Sequence, residues 1–164
     1  MSLLVLVHHG DALPEHVDPQ RPLTMRGREM VERVAREAAA RGVRPDVVWH
    51  SGKLRARDTA EIYWRTCNAL AEFRAIGGLR PADGPWQLRD HLLGESRTVM
   101  AVGHMPNLPR VLGFLTTGDD NARLEFPLNG LVLLEREGDA RLWTERGRLS
   151  GEGVASPDDW RCPS

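Results

Sequence analysis

The sequence predicts an α/β protein, an α/β sandwich around a largely parallel sheet. Three observations predict it. Residues 3–7 (LLVLV) and 98–102 (TVMAV) are short apolar runs, as in strands covered on both faces, and 46–49 (DVVW) is a similar but shorter segment. Residues 24–41 and 53–71 have helical character. Strand and helix alternate, the rhythm of parallel strands joined by helical crossovers.

Each element follows from local chemistry. The helix at 24–41 carries Met30, Val31, Val34, Ala35 and Ala38 on one stripe. Thr24 can cap its start, and Gly42 stands where it would stop. Residues 77–85 are rich in Gly and Pro and read as loop, followed by a short helix at 86–93. A further helix spans 107–115, after the strand at 98–102. Residues 131–135 and 141–144 read as strands joined by a turn at 137–139. The expected organisation is a single domain over 1–148 with a loose C-terminal tail over 149–164.

Composition narrows the class. The chain has 164 residues, 41% hydrophobic and 27% charged, with a net charge of -1. That balance argues against a general nucleic-acid or membrane-surface binder. Its two cysteines, Cys67 and Cys162, form neither a disulfide framework nor a metal spacing, so a reducing cytoplasm is expected. The N-terminal apolar run lacks the basic flank of a signal peptide, and no stretch is long enough to span a bilayer.

Polar residues sit where such a fold collects ligands, beyond the carboxyl ends of its strands. His8-His9-Gly10 ends the first strand, His50-Ser51 the second and Gly103-His104 the third. Arg55, one turn into the second helix, can point back at the same crevice. A neutral imidazole with one nitrogen held and the other free can attack phosphorus. Arginine suits the phosphoryl oxygens because its planar fork binds two at once. A helix starting near Pro106 would add backbone N–H groups at its positive end.

Four ordered segments carry a resemblance. "VHHGDA" around His9, "RPLTMRGRE" from Arg21, "SGKLRARDTA" from Ser51 and "VMAVGHMPNL" from Val99 resemble motifs of the histidine phosphatase, or phosphoglycerate mutase-like, superfamily. "FPLNGLVLLE" from Phe126 resembles the strand that follows them. The resemblance implies the phosphoglycerate mutase-like fold, a three-layer α/β/α sandwich whose mixed, mostly parallel sheet is flanked by helices, with His9 as a nucleophile that becomes phosphorylated, Arg55 as the phosphate-binding arginine and His104 as the second histidine. His8, Gly10, Arg21 and Met105 complete the expected substrate-binding set, with salt bridging the alternative for Arg21. The small size, "HGDA" and "RPLT" look most like the SixA-type phosphohistidine phosphatases. That branch implies no metal, no cofactor and a phosphate-containing substrate, such as a phosphorylated histidine on a signalling or phosphotransfer protein.

Several positions depart from the pattern. His8 replaces an arginine, which predicts weakened activity, best at mildly acidic pH if bound phosphate recruits His8 as a cation. Gly52 replaces a proline and should loosen the helix start. Asp58 replaces a glutamine and, three residues after Arg55, could pair with it. Met105 replaces an asparagine and removes a cap. The general acid of larger members has no counterpart motif among Glu72, Asp83, Asp90 and Glu95. Its absence favours an activated phosphate over a poor leaving group such as an alkoxide. Two other readings remain: a phosphate- or phosphoprotein-binding module without turnover, and a phosphatase for small phosphate esters. His16, His50 and His91 read as surface or structural residues, and Trp49, Tyr63, Trp64, Trp86 and Trp143 as packing. Metal binding by His8 and His9 is disfavoured, because neighbours on a strand point to opposite faces.

Overall fold

The structure, a computed structural model, describes residues 1–152 and 159–164. Ten elements follow in order: β1 (Ser2–His8), α1 (Met25–Ala40), β2 (Val47–His50), α2 (Leu54–Cys67), β3 (Glu72–Ala75), α3 (Pro85–Leu92), β4 (Val99–Gly103), α4 (Asn107–Thr117), β5 (Leu131–Arg136) and β6 (Thr144–Leu149). The strands form one mixed sheet in the order β3-β2-β4-β1-β5-β6. The first four in that order run parallel, and β5 and β6 pair antiparallel.

β1 is apolar throughout because both faces of the sheet are covered. Leu3, Val5 and Val7 pack with Val31, Val34, Ala35 and Ala38 of α1 and with Ala56, Ala60 and Tyr63 of α2. Leu4 and Leu6 face the other way, against Leu88 and Leu92 of α3 and Leu108, Val111 and Leu112 of α4. The three-layer architecture is therefore the one the resemblance implies. The Thr24 hydroxyl accepts from the Gly27 N–H at 2.8 Å and starts α1, and Gly42 follows its end at φ 85°.

Register brings the strand ends together. His8 lies beside Gly103, and His50 beside Val102. The polar residues after β1, β2 and β4 thus meet at one edge of the sheet.

The differences from expectation lie at the sheet edges. α2 ends at Cys67, and residues 72–75 form β3, a four-residue edge strand, largely exposed, from which only Phe73 packs against the core and which is too short to show a strand pattern. The last strand is 144–149 rather than 141–144. Its sequence TERGRL is polar, because only Leu149 of that strand is buried. Trp143 turns into the core instead, its N–H donating to Leu115 O at 2.8 Å. Trp86 is exposed, not packed.

Part of the expected loose tail, 153–158, lies outside the described residues. The described remainder is fastened. Trp160 is buried over Gly147, and its indole N–H donates to Arg148 O at 3.2 Å. The Arg41 guanidinium covers its ring at 4.8 Å, and the Cys162 N–H donates to Arg41 O at 2.8 Å.

Candidate active site

His9 immediately follows β1, and its orientation is set by its own backbone. Its Nδ1 lies 2.7 Å from Gly10 O. A carbonyl only accepts, so Nδ1 carries the proton and Nε2 keeps a free lone pair. The Gly10 N–H donates to Thr59 Oγ1 at 3.0 Å, and that hydroxyl donates to Arg55 O at 2.8 Å. These two bonds tie the first turns of α2 to the end of β1. Gly10 also has no room for a side chain: a Cβ there would lie 2.6 Å from Val31.

His104, just beyond β4, is fully buried. Its Nε2 lies 2.6 Å from Ser51 Oγ, while its Nδ1 is buried without a partner. The His9 and His104 ring centroids are 4.9 Å apart, and those of His8 and His9 4.5 Å. Arg55 leaves α2 with a buried, unpartnered Nε. Arg21, at φ 51°, donates from Nε to Leu13 O at 3.0 Å.

The net pKa shifts in the crevice all run downward, although the Gly10 carbonyl and Asp11 act the other way on His9. Burial, then the charges of His9 and Arg55, push the His8 pKa down to about 3. His9 falls to about 4, chiefly through burial, with Arg55 and Arg21 adding to the fall. His104 falls to about 2 through burial, then His9, Arg55, Lys53 and His8. Burial and Arg21 also lower Arg55. At pH 7 the crevice therefore holds neutral imidazoles among cationic Arg55, Arg21 and Lys53. Like charges held together around unpartnered donors suit an anion, which would relieve their repulsion. Among the described residues, no group of three or more His, Cys, Asp or Glu is arranged to hold a metal ion.

Of the expected site residues, the structure brings His8, His9, Arg55, Arg21 and His104 together. Gly10 is a packing residue whose N–H is already committed to Thr59. Met105 packs against the apolar cluster beneath α3 and α4. Asp58 does not pair with Arg55; it lines a depression with Arg28, Glu61 and Arg65 on the outer side of α1 and α2. Gly52 lies just ahead of α2, which starts at Leu54. It sits at φ 90°, which proline cannot adopt, and its N–H donates to His50 Nδ1 at 3.1 Å. His8 is not a ready cation, because its Nδ1 accepts the Asn129 N–H at 2.9 Å. The four acids in the expected general-acid window are engaged elsewhere: Glu72 and Glu95 with Arg97, Asp90 with Arg89, and Asp83 with the amides of Gly78 and Arg80.

Sequence reasoning missed Asn129, Lys53, Thr59 and the partnership of Ser51 with His104. The Asn-Gly pair at 129–130 was a usable sign of a left-handed turn, which Asn129 makes at φ 52°. Nothing local indicates that this turn meets β1.

The arrangement defines a class: a cluster of neutral imidazoles and cationic side chains, of a chemistry suited to an anion, at the carboxyl edge of an α/β sheet. A sequence profile described as the histidine phosphatase superfamily, branch 1, matches residues 4–87. The chain belongs to that superfamily. No curated protein matches it in sequence. Solved structures share the fold. A protein histidine phosphatase SixA complexed with tungstate is 19% identical at a TM-score of 0.80, over 91% of this chain and 97% of that one. A protein from Agrobacterium tumefaciens, provisionally named phosphohistidine phosphatase SixA, is 24% identical at 0.72, over 90% and 97%. A phosphoserine phosphatase from Entamoeba histolytica, in complex with 3-phosphoglyceric acid, is 17% identical at 0.66, over 92% and 98%.

Proposed function

We propose that the protein is a phosphohistidine phosphatase acting on phosphorylated proteins through a covalent intermediate on His9. The observation that carries this reading is the bond from His9 Nδ1 to Gly10 O, which leaves Nε2 nucleophilic beside unpartnered Arg55. His9 Nε2 attacks phosphorus while the P–N bond of the substrate breaks. The departing imidazole takes a proton from solvent. Water then attacks the phosphorus, the P–Nε2 bond breaks, and inorganic phosphate leaves with His9 neutral again. Arg55 and His104 hold the phosphoryl oxygens, and Arg21 adds charge at the rim.

The engaged state of Glu72, Asp83, Asp90 and Glu95 supports a substrate that needs little general-acid help. A phosphorylated imidazole is such a leaving group. The natural partner is then a histidine-phosphorylated signalling or phosphotransfer protein in the cytoplasm. Incubation with a phosphohistidine protein carrying labelled phosphate tests the reading. Label should pass to His9 and be released as phosphate, and His9→Ala should do neither. Faster turnover of small phosphate esters than of phosphohistidine would assign the site to small molecules instead.

A second reading keeps the binding and weakens the turnover. It rests on His8, which brings no charge to a position where the resemblance expects arginine. Tight vanadate binding with no labelled His9 would favour it.

A further inference from the structure

Two neighbouring histidines in this crevice are held in opposite tautomers. His9 gives its Nδ1 proton to a carbonyl. His8 Nδ1 accepts an amide proton, from Asn129, and so must be unprotonated. The loop before β5 grips His8 twice, since the His8 backbone N–H also donates to Gly130 O at 2.9 Å. The grip depends on the turn. Asn129 lies at φ 52°, its side chain donates to Asp11 Oδ1 at 3.1 Å, and Gly130 leaves no room for a Cβ beneath Leu149. With Nδ1 occupied, the His8 proton resides on Nε2.

Resting on the phosphoryl-transfer reading above, we propose that His8 is a fixed neutral donor, presenting Nε2–H to the phosphoryl group, with the Asn129 amide as the group that positions it. A second proton on Nδ1 would face the Asn129 N–H head-on, so an incoming anion gains a hydrogen bond here and no charge. The other groups around His8 act in the same sense. His9, next along the chain, and Arg55 on α2 both oppose its protonation, and Asp11, the acid this loop contacts, is bonded to the Asn129 side chain. The crevice thus replaces a cation by a directed dipole, and its charge on the phosphoryl group comes from Arg55 and Arg21.

Imidazole 15N shifts of the full chain, free and with orthovanadate, test this. The residue-8 signals are assigned by their loss in His8→Gln. The expected pattern is Nε2–H with bare Nδ1 at residue 8 from pH 5 to 8, free and bound, with Nε2 shifting as vanadate saturates. His9 should show the opposite pattern when free. Asn129→Val, strained at φ 52°, should turn the residue-8 signals into a tautomer mixture. Kinetically, His8→Gln should retain activity on p-nitrophenyl phosphate within about fivefold, whereas His8→Leu should lose roughly tenfold or more. A doubly protonated residue 8 in the vanadate complex, an Nδ1–H tautomer, or a bound state that leaves Nε2 unmoved overturns the proposal while vanadate binding preserves the phosphoryl reading. Absence of vanadate binding overturns both, even with the free-state tautomer as expected.

Discussion

Ser51 Oγ and His104 Nε2 stand 2.6 Å apart, both buried, joining the ends of β2 and β4 beneath the crevice. The Lys53 N–H donates to the same Ser51 oxygen at 3.3 Å. Ser51 Oγ is thus shared between the Lys53 amide and His104 Nε2, and it fixes the orientation of the His104 ring. Ser51→Ala removes this orientation. Vanadate affinity should fall roughly tenfold, the effect of one buried hydrogen bond, while His9 still becomes labelled. Calorimetric titration with vanadate checks it; unchanged affinity would show that Ser51 does not orient His104.

Thr59 is fully buried and serves two backbone groups at once, Gly10 N–H and Arg55 O. Thr59→Val keeps the volume and strands the Gly10 amide. The cost should be about 1–3 kcal/mol of stability, with a fall in kcat larger than that of a distant variant of equal stability. Urea unfolding with parallel turnover measurements separates the two effects. A variant that loses stability alone would place Thr59 outside the alignment of His9.

Stability should fall with acid. Folding lowers His8, His9 and His104 from 6.5 to about 3, 4 and 2. Below pH 6.5 the unfolded chain binds more protons than the folded one, so stability drops until the folded state also protonates, at pH 2–4. His8 and His104 should each remove about 1–2 kcal/mol between pH 7 and pH 5. Urea midpoints at the two pH values measure it, and His8→Gln should flatten the slope. Equal midpoints at both pH values would contradict the buried neutral state.

His8→Arg sets charge against satisfaction. The guanidinium adds a cation to the phosphoryl site, and vanadate should bind more tightly. Arginine has no acceptor, however, so the Asn129 N–H loses its partner, at a cost of about 1–3 kcal/mol in stability. The melting temperature and the vanadate affinity should move in opposite directions. Weaker vanadate binding would mean that the directed dipole outperforms the charge.

Trp160→Ala should destabilise the fold by roughly 3–5 kcal/mol, because it empties the space over Gly147 and uncovers Arg41. At a temperature where the variant remains folded, turnover should match the wild type, since these contacts lie on α1 and β6 rather than at the strand ends. A change below about 1 kcal/mol in thermal unfolding would show that the C-terminal residues do not hold the core.

The sequence by itself determined the elements whose chemistry is local. β1 and β4 are legible because both faces are buried, α1 because Thr24 and its apolar stripe mark it, His9 and His104 as candidates because each follows a recognisable strand end, and Arg55 through the motif that begins at Ser51. The edge strands β3 and β6 were not: β3 has only four residues, with Phe73 alone turned toward the core, and β6 carries no apolar alternation. Only the tertiary structure decided what His8 is. Its tautomer depends on an amide 121 residues away along the chain, and no property of the dipeptide His8-His9 reveals it. Hydrogen bonds that set protonation are short-ranged in space and unrestricted in sequence, so a chemical role can stay hidden after the fold itself has become readable.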